Sequence, residues 1–116
     1  MNSNFREINL EEGKPIVDIA IRRLTGEIQN SRQMGIVVLK VIHGYGSSGT
    51  GGKIRIAVRR YLEGLKRSGQ IRQYIPGETF TIFDAGTREA LTLCDALRRD
   101  RDLERHNNGI TVIVLS

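Results

Sequence analysis

The sequence predicts an α/β fold in which strands and helices alternate along the chain. Three observations carry that expectation: a period-two segment at residues 6–11, two stretches with apolar residues at helical spacing, and short apolar runs that follow them. In residues 6–11, Ile8 and Leu10 fall on one side and Glu7, Asn9 and Glu11 on the other, a half-buried strand. Gly13 and Pro15 open a helix, with the proline in its first turn. Its stripe is Ile16, Ala20, Leu24 and Ile28, widened by Val17 and Ile21. Gly35 marks its end, and residues 36–42 form the next strand. One face of that strand, Val37, Leu39 and Val41, is wholly apolar. The other, Ile36, Val38, Lys40 and Ile42, holds a lysine that has to reach water.

A second helix is expected over residues 52–66, with Ile54, Val58, Tyr61, Leu62 and Leu65 facing the core and Arg55, Arg59 and Arg60 away from it. Gly69 ends that region, residues 71–75 form a third strand, and Pro76-Gly77 is a turn signal. A last strand at residues 110–115 follows Asn107-Asn108-Gly109. Such alternation favours parallel pairing through right-handed crossovers. Because the first strand alternates and the second carries Lys40, the helices are expected on one face of the sheet, with the other face partly open. Between the last two strands, residues 78–108 are harder to place. Phe80, Ile82 and Phe83 could add an apolar edge, and residues 87–99 form a helix with Ala90, Leu93, Cys94 and Leu97 on one side. Arg98 to Arg105 alternates in charge and reads as a solvated surface.

Composition bounds the function. With 39% hydrophobic and 27% charged residues among 116, the chain is an ordinary globular protein. No apolar run approaches the ~20 residues of a membrane helix, and the first ten residues lack the features of a signal peptide. The single cysteine, Cys94, rules out an internal disulfide and a zinc cluster and reads as a small core residue. His106 stands alone in a polar stretch, as a surface residue. The expectation is a soluble, cytoplasmic protein with no membrane partner. Its net charge of +5 is unevenly spread: residues 32–75 hold nine basic side chains and one acid, residues 78–116 five and seven. Excess positive charge therefore surrounds one segment.

That segment, residues 38–61, reads VLKVIHGYGSSGTGGKIRIAVRRY: a strand, a glycine-rich loop opened by His43, and a basic helix. Unpaired amides at a loop and helix N-terminus attract anions, phosphate above all. Gly44, Gly46 and Gly49 spell GxGxxG, but a dinucleotide site also needs an acid at the end of the next strand, and none comes before Glu78. A P-loop fits no better, since Ser47 stands where its first glycine belongs and no Ser or Thr follows Lys53. Free dinucleotides are thereby excluded, and the phosphate of a polymer remains.

His43-Gly44-Tyr45-Gly46, followed by Gly52-Lys53-Ile54-Arg55-Ile56-Ala57-Val58-Arg59-Arg60-Tyr61-Leu62, resembles the HGxGxG loop and L-R-x-A-V-R-x-Y-L helix of the Smr domain family, which is related to the C-terminus of certain MutS paralogues. Residues 108–115, NGITVIVL, look like the family's last strand, G-G-V-T-V-V-x-L. The resemblance spans most of residues 6–76 and 108–115. It implies one Smr-like domain over 1–116, a βαβαββ two-layer sandwich. Its sheet would be mixed and four-stranded with helices mainly on one face, and an extra helix would lie in the insertion 78–108. It also implies nucleic-acid binding or endonuclease activity, with no cofactor in the protein itself and a divalent metal such as magnesium entering only with the latter. Two departures bear on chemistry. The family's first strand ends in LDLH, whose aspartate and histidine are implicated in nuclease activity; here Ile8-Asn9-Leu10-Glu11 stands instead. The loop is also longer, by Ser47 to Gly51.

The expected interface comprises His43, the amides of Gly44, Gly46 and Gly52, the charges of Lys53, Arg55 and Arg59, and Tyr45 stacking on a base, with Tyr61 left to the core. A catalytic variant of the reading has Glu11 orient or charge His43 beside a scissile phosphate, both lying at carboxyl ends of consecutive strands. A third reading is a protein–protein module that makes contact through 78–108. The target (RNA or DNA) and the oligomeric state are not encoded in these features.

Overall fold

A computed structural model describes residues 4–45 and 50–116, without the side chains of 50 and 51. Strand β1 (Phe5–Asn9) leads to helix α1 (Val17–Gln33), strand β2 (Val38–Ile42), helix α2 (Thr50–Arg67) and strand β3 (Gln73–Pro76). A 3₁₀ turn (Gly77–Thr79), helix α3 (Ala85–Leu93) and a second 3₁₀ turn (Asp95–Arg99) precede strand β4 (Ile110–Val114). The sheet is mixed and four-stranded, in the order β1-β2-β4-β3. β1 runs parallel to β2, with Ile8 opposite Val41, while β4 is antiparallel to both neighbours, Thr111 lying opposite Val41 and Pro76. The carboxyl ends of β1, β2 and β3 and the start of β4 therefore gather at one end of the sheet. No helix among the described residues is long and apolar enough to cross a membrane.

The expected α/β class and both long helices are present. Pro15, however, precedes α1 rather than lying in its first turn; Ile16 is the extended N-cap and supplies no side-chain bond. On one face of the sheet, Ile8, Leu39, Val41 and Ile113 pack with Ala20, Leu24 and Ile28 of α1 and Ile54, Val58 and Leu62 of α2. The two helices are also joined by a 2.7 Å hydrogen bond between Thr25 and Tyr61, which packs on this core as expected.

The second face differs from the expectation of a partly open surface. Val38, Ile75, Ile110, Val112 and Val114 are covered by Phe80, Ala90, Leu91, Cys94 and Leu97. Ile82 and Phe83, expected beside Phe80, are exposed instead. The helix expected over 87–99 breaks at Cys94, whose extended backbone (φ −142°, ψ 96°) separates α3 from the second 3₁₀ turn. Cys94 is buried as expected, and its thiol donates to Asn4 Oδ1 at 3.1 Å. At the other strand end, Ile36 packs with the α1–α2 core and Val37 with the second core, the reverse of the alternation rule, because the regular strand begins only at Val38.

Lys40 is the largest correction. Its side chain is 0% exposed, and instead of reaching water it is enclosed by carboxylates. Nζ lies 3.3 Å from Glu7 of β1, 2.9 Å from Asp100 and 2.5 Å from Asp102. Asp102 also accepts from Asn107 Nδ2 at 3.0 Å, and the backbone N–H of Asp102 donates to Asp100. The charged segment read as solvated thus turns two of its acids inward. A buried ammonium is tolerated because every donor has an anionic partner.

Candidate functional site

At the gathered strand ends the chain leaves β2 through His43 and Gly44. Both amides donate to the carbonyl of Gly109, at 2.9 and 3.0 Å, which ties the loop to the start of β4. Gly44 has φ +77°, the left-handed region that favours glycine, and the mobile carboxylate of Glu11 lies against it. Its amide is used by the protein, and what Gly44 offers a ligand is close approach. Tyr45 follows, with an exposed ring whose Cδ1 approaches Gly109. Gly46 lies outside the described residues.

His43 is fully buried between two partners. Nδ1 lies 2.8 Å from the Gly44 carbonyl and Nε2 2.8 Å from Thr111 Oγ1. A carbonyl only accepts, so the proton sits on Nδ1, and Nε2 accepts from the threonine hydroxyl. Burial is the main cause that lowers the imidazole pKa to about 4, aided by the Arg59 and Arg55 charges against the Gly44 bond and Glu78. The ring is neutral at pH 7 with both nitrogens engaged. Glu11 lies beside Gly44 at the end of β1, as expected, but is not a hydrogen-bond partner of His43. Its backbone N–H donates to Asn9 Oδ1 at 2.8 Å, so Asn9 shapes the turn out of β1.

From α2, Arg59 reaches across the strand ends. Nε–H donates to Thr111 Oγ1 at 3.3 Å, and Nη2 reaches the carbonyls of Asn108 at 3.3 Å and Ile110 at 3.2 Å. Its two terminal nitrogens each meet one oxygen of Glu78 at 2.7 Å. A continuous chain of bonds thus runs from Glu78 through Arg59, Thr111 and His43 to the Gly44 carbonyl. The sequence assigns Glu78, Asn108 and Thr111 no part in the site. The rule that sites gather at carboxyl strand ends could have found Glu78, two residues beyond β3.

The side chains of Lys53, Arg55 and Arg60 make no hydrogen bond or ion pair among the described residues, so α2 carries uncompensated charge. Gly52 is half-buried and Lys53 exposed on the first turns of α2. Arg55 is close enough to influence the titration of both His43 and Glu78. His106, exposed as expected, bonds through Nδ1 to the Glu78 carbonyl at 3.1 Å. Among the described residues no group of three His, Cys, Asp or Glu could hold a metal ion; the carboxylates around Lys40 are filled by its ammonium. An open groove of about 740 Å³ lies instead along β1 and α1, lined by Arg6, Asn9, Glu12, Arg22, Arg23 and Glu27. Its charges are mixed, Arg6 pairing with Glu27 at 3.2 Å, and favour no single ligand sign.

No family model matches the chain, and no curated protein matches it in sequence. Among solved structures it is similar to the crystal structure of the Smr domain of Thermus thermophilus MutS2, with a TM-score of 0.58 and 20% identity over 96% of this chain and 98% of that one. At that identity the likeness concerns the path of the chain. The protein has the Smr-domain fold to which its loop, second helix and last strand had pointed.

Proposed function

We propose that this chain binds nucleic acid by its phosphate backbone, using the shelf formed by Gly44 and Tyr45 and the cations of α2. The observation that carries this reading is the unpaired state, among the described residues, of the Lys53 and Arg55 side chains on the first turns of α2, with Arg55 near enough to act on His43, the neighbour of Gly44. Cations at a helix start beside a close-approach glycine suit a polyanion, and an exposed aromatic suits an unstacked base. Such contacts hold a strand without reading its sequence.

Titration of labelled single-stranded RNA and duplex DNA across a salt series tests it. With about six phosphates neutralised, log K on duplex DNA falls against log salt with a slope near −5. The Lys53→Ala/Arg55→Ala variant binds more weakly with a shallower slope. A slope near zero, or no loss in that variant, overturns the reading.

Cleavage is the second reading, and Glu11 favours it, an exposed carboxylate against Gly44 at the end of β1. Product that forms with magnesium and disappears in Glu11→Gln would establish it; intact substrate in both would dismiss it.

A further inference from the structure

We propose that the Glu78 carboxylate holds the place of a backbone phosphate in a subsite built on Arg59, and that a nucleic-acid strand binds there by displacing it. The inference rests on the nucleic-acid reading above and adds a specific, masked contact to it. The geometry comes first. Both oxygens of Glu78 meet both terminal nitrogens of Arg59 at 2.7 Å, a fork-to-fork pairing that two non-bridging phosphate oxygens reproduce.

The two halves of the pair are held very differently. Arg59 is 18% exposed and fixed from behind by Thr111, Asn108 and Ile110, so its fork is already aimed when a ligand arrives. The Glu78 side chain is 43% exposed, and among the described residues no side chain other than Arg59 bonds it. Ion pairs this open to water are weak and readily exchanged.

The Glu78 backbone, by contrast, is anchored. Its carbonyl receives the His106 bond, and Gly77 packs so closely on the Asn107 carbonyl that a side chain there would collide. Rotation of the Glu78 side chain alone therefore uncovers Arg59, with no rearrangement of the turn. A strand seated there also gains Arg55, whose charge reaches the Glu78 carboxylate. Burial raises the pKa of that carboxylate, while Arg59 and Arg55 together hold it below the usual range. The same surroundings favour a phosphodiester, which stays charged at every pH of interest.

The test compares salt titrations of the same RNA and DNA probes for wild type, Glu78→Gln, Arg59→Lys and the Arg59→Lys/Glu78→Gln pair, with thermal melts to verify folding. Glu78→Gln is expected to bind about threefold or more tightly at low salt, with a slope changed by less than the roughly 0.9 of one phosphate contact, because the strand reaches Arg59 in both proteins. The gain should vanish in the double variant, because lysine keeps the charge but loses the fork. A gain that persists there reflects net charge alone and overturns the subsite. So does unchanged binding by Glu78→Gln when wild type binds and Lys53→Ala/Arg55→Ala does not, an outcome that leaves the general reading intact. Absence of binding by every protein overturns both.

Discussion

Lys40 and Arg59 are each matched by carboxylates, yet they belong to different parts of the molecule's logic. Lys40 lies under the second face of the sheet, 0% exposed, with three carboxylates from β1 and residues 100–102 closing on one ammonium. Arg59 lies at the open end of the sheet, fixed on one side by carbonyls and capped on the other by one partly exposed acid. Neither pairing nor distance separates them; both sets of bonds are short. Access to water does. A fully buried ammonium can only hold the covering segment on the sheet, whereas an open pair can exchange its partner.

Substitutions sharpen that contrast, the buried ammonium first. Lys40→Ala leaves three carboxylates facing one another, and chemical denaturation should register a loss of about 3–5 kcal/mol. A loss below about 1 kcal/mol would mean that water reaches the cluster.

The next effect belongs to His43. Its imidazole is held at about 4 in the fold, against 6.5 for an unconstrained ring, so an unfolded chain takes up a proton that the folded chain refuses. Stability is complete above pH 6.5 and declines toward pH 4, by about 3 kcal/mol in total. Melts at stepped pH should show this decline in wild type and lack it in His43→Gln. The carboxylate of Asp102 acts at lower pH. Burial raises its pKa, but bonds from Lys40 and Asn107 hold it below 3.8, so its contribution is present above that value and lost as pH falls through the lowered one. At the alkaline end Lys40 does the reverse. Burial opposes its charge, the two aspartates more than offset that, and its stabilisation is lost only as pH rises beyond 10.5 through the raised value.

Smaller again is Thr111→Val, which removes the hydroxyl that donates to His43 and accepts from Arg59; about 1–3 kcal/mol should be lost. Smallest is Glu78→Ala. Its pair is open, and stability should change by less than about 1 kcal/mol. A larger change would place Glu78 with Lys40 among the fixed elements.

How much of this the sequence disclosed follows from the range of each interaction. Ile8 and Leu10, or Leu24 and Ile28, announce their faces through neighbours a few residues away, and those assignments held. Lys40 did not, because its partners Asp100 and Asp102 lie sixty residues on, and alternation within one strand says nothing about them. Residues 98–105 failed for the matching reason: alternating charge looks solvated unless a buried cation is known to await it. The break at Cys94 leaves no local mark, since the apolar stripe continues across it into Leu97. At the candidate site, His43, Arg55 and Arg59 were visible from the loop and helix. Their connection through Thr111 was not, for it exists only once β4 lies beside β2.

The position of β4 also sets an order of events during synthesis. It follows β2 and β3 along the chain, yet it occupies the interior of the sheet, between them. Until residues 110–114 emerge from a ribosome, β2 and β3 have no common partner, and Arg59 lacks Thr111 and the carbonyls that aim it. The basic helix is therefore made before the groups that aim its guanidinium, which come with residues 108–111. Long-range closure of this kind is slow relative to local helix formation. The fold thus aims Arg59 only once β4 has closed the sheet.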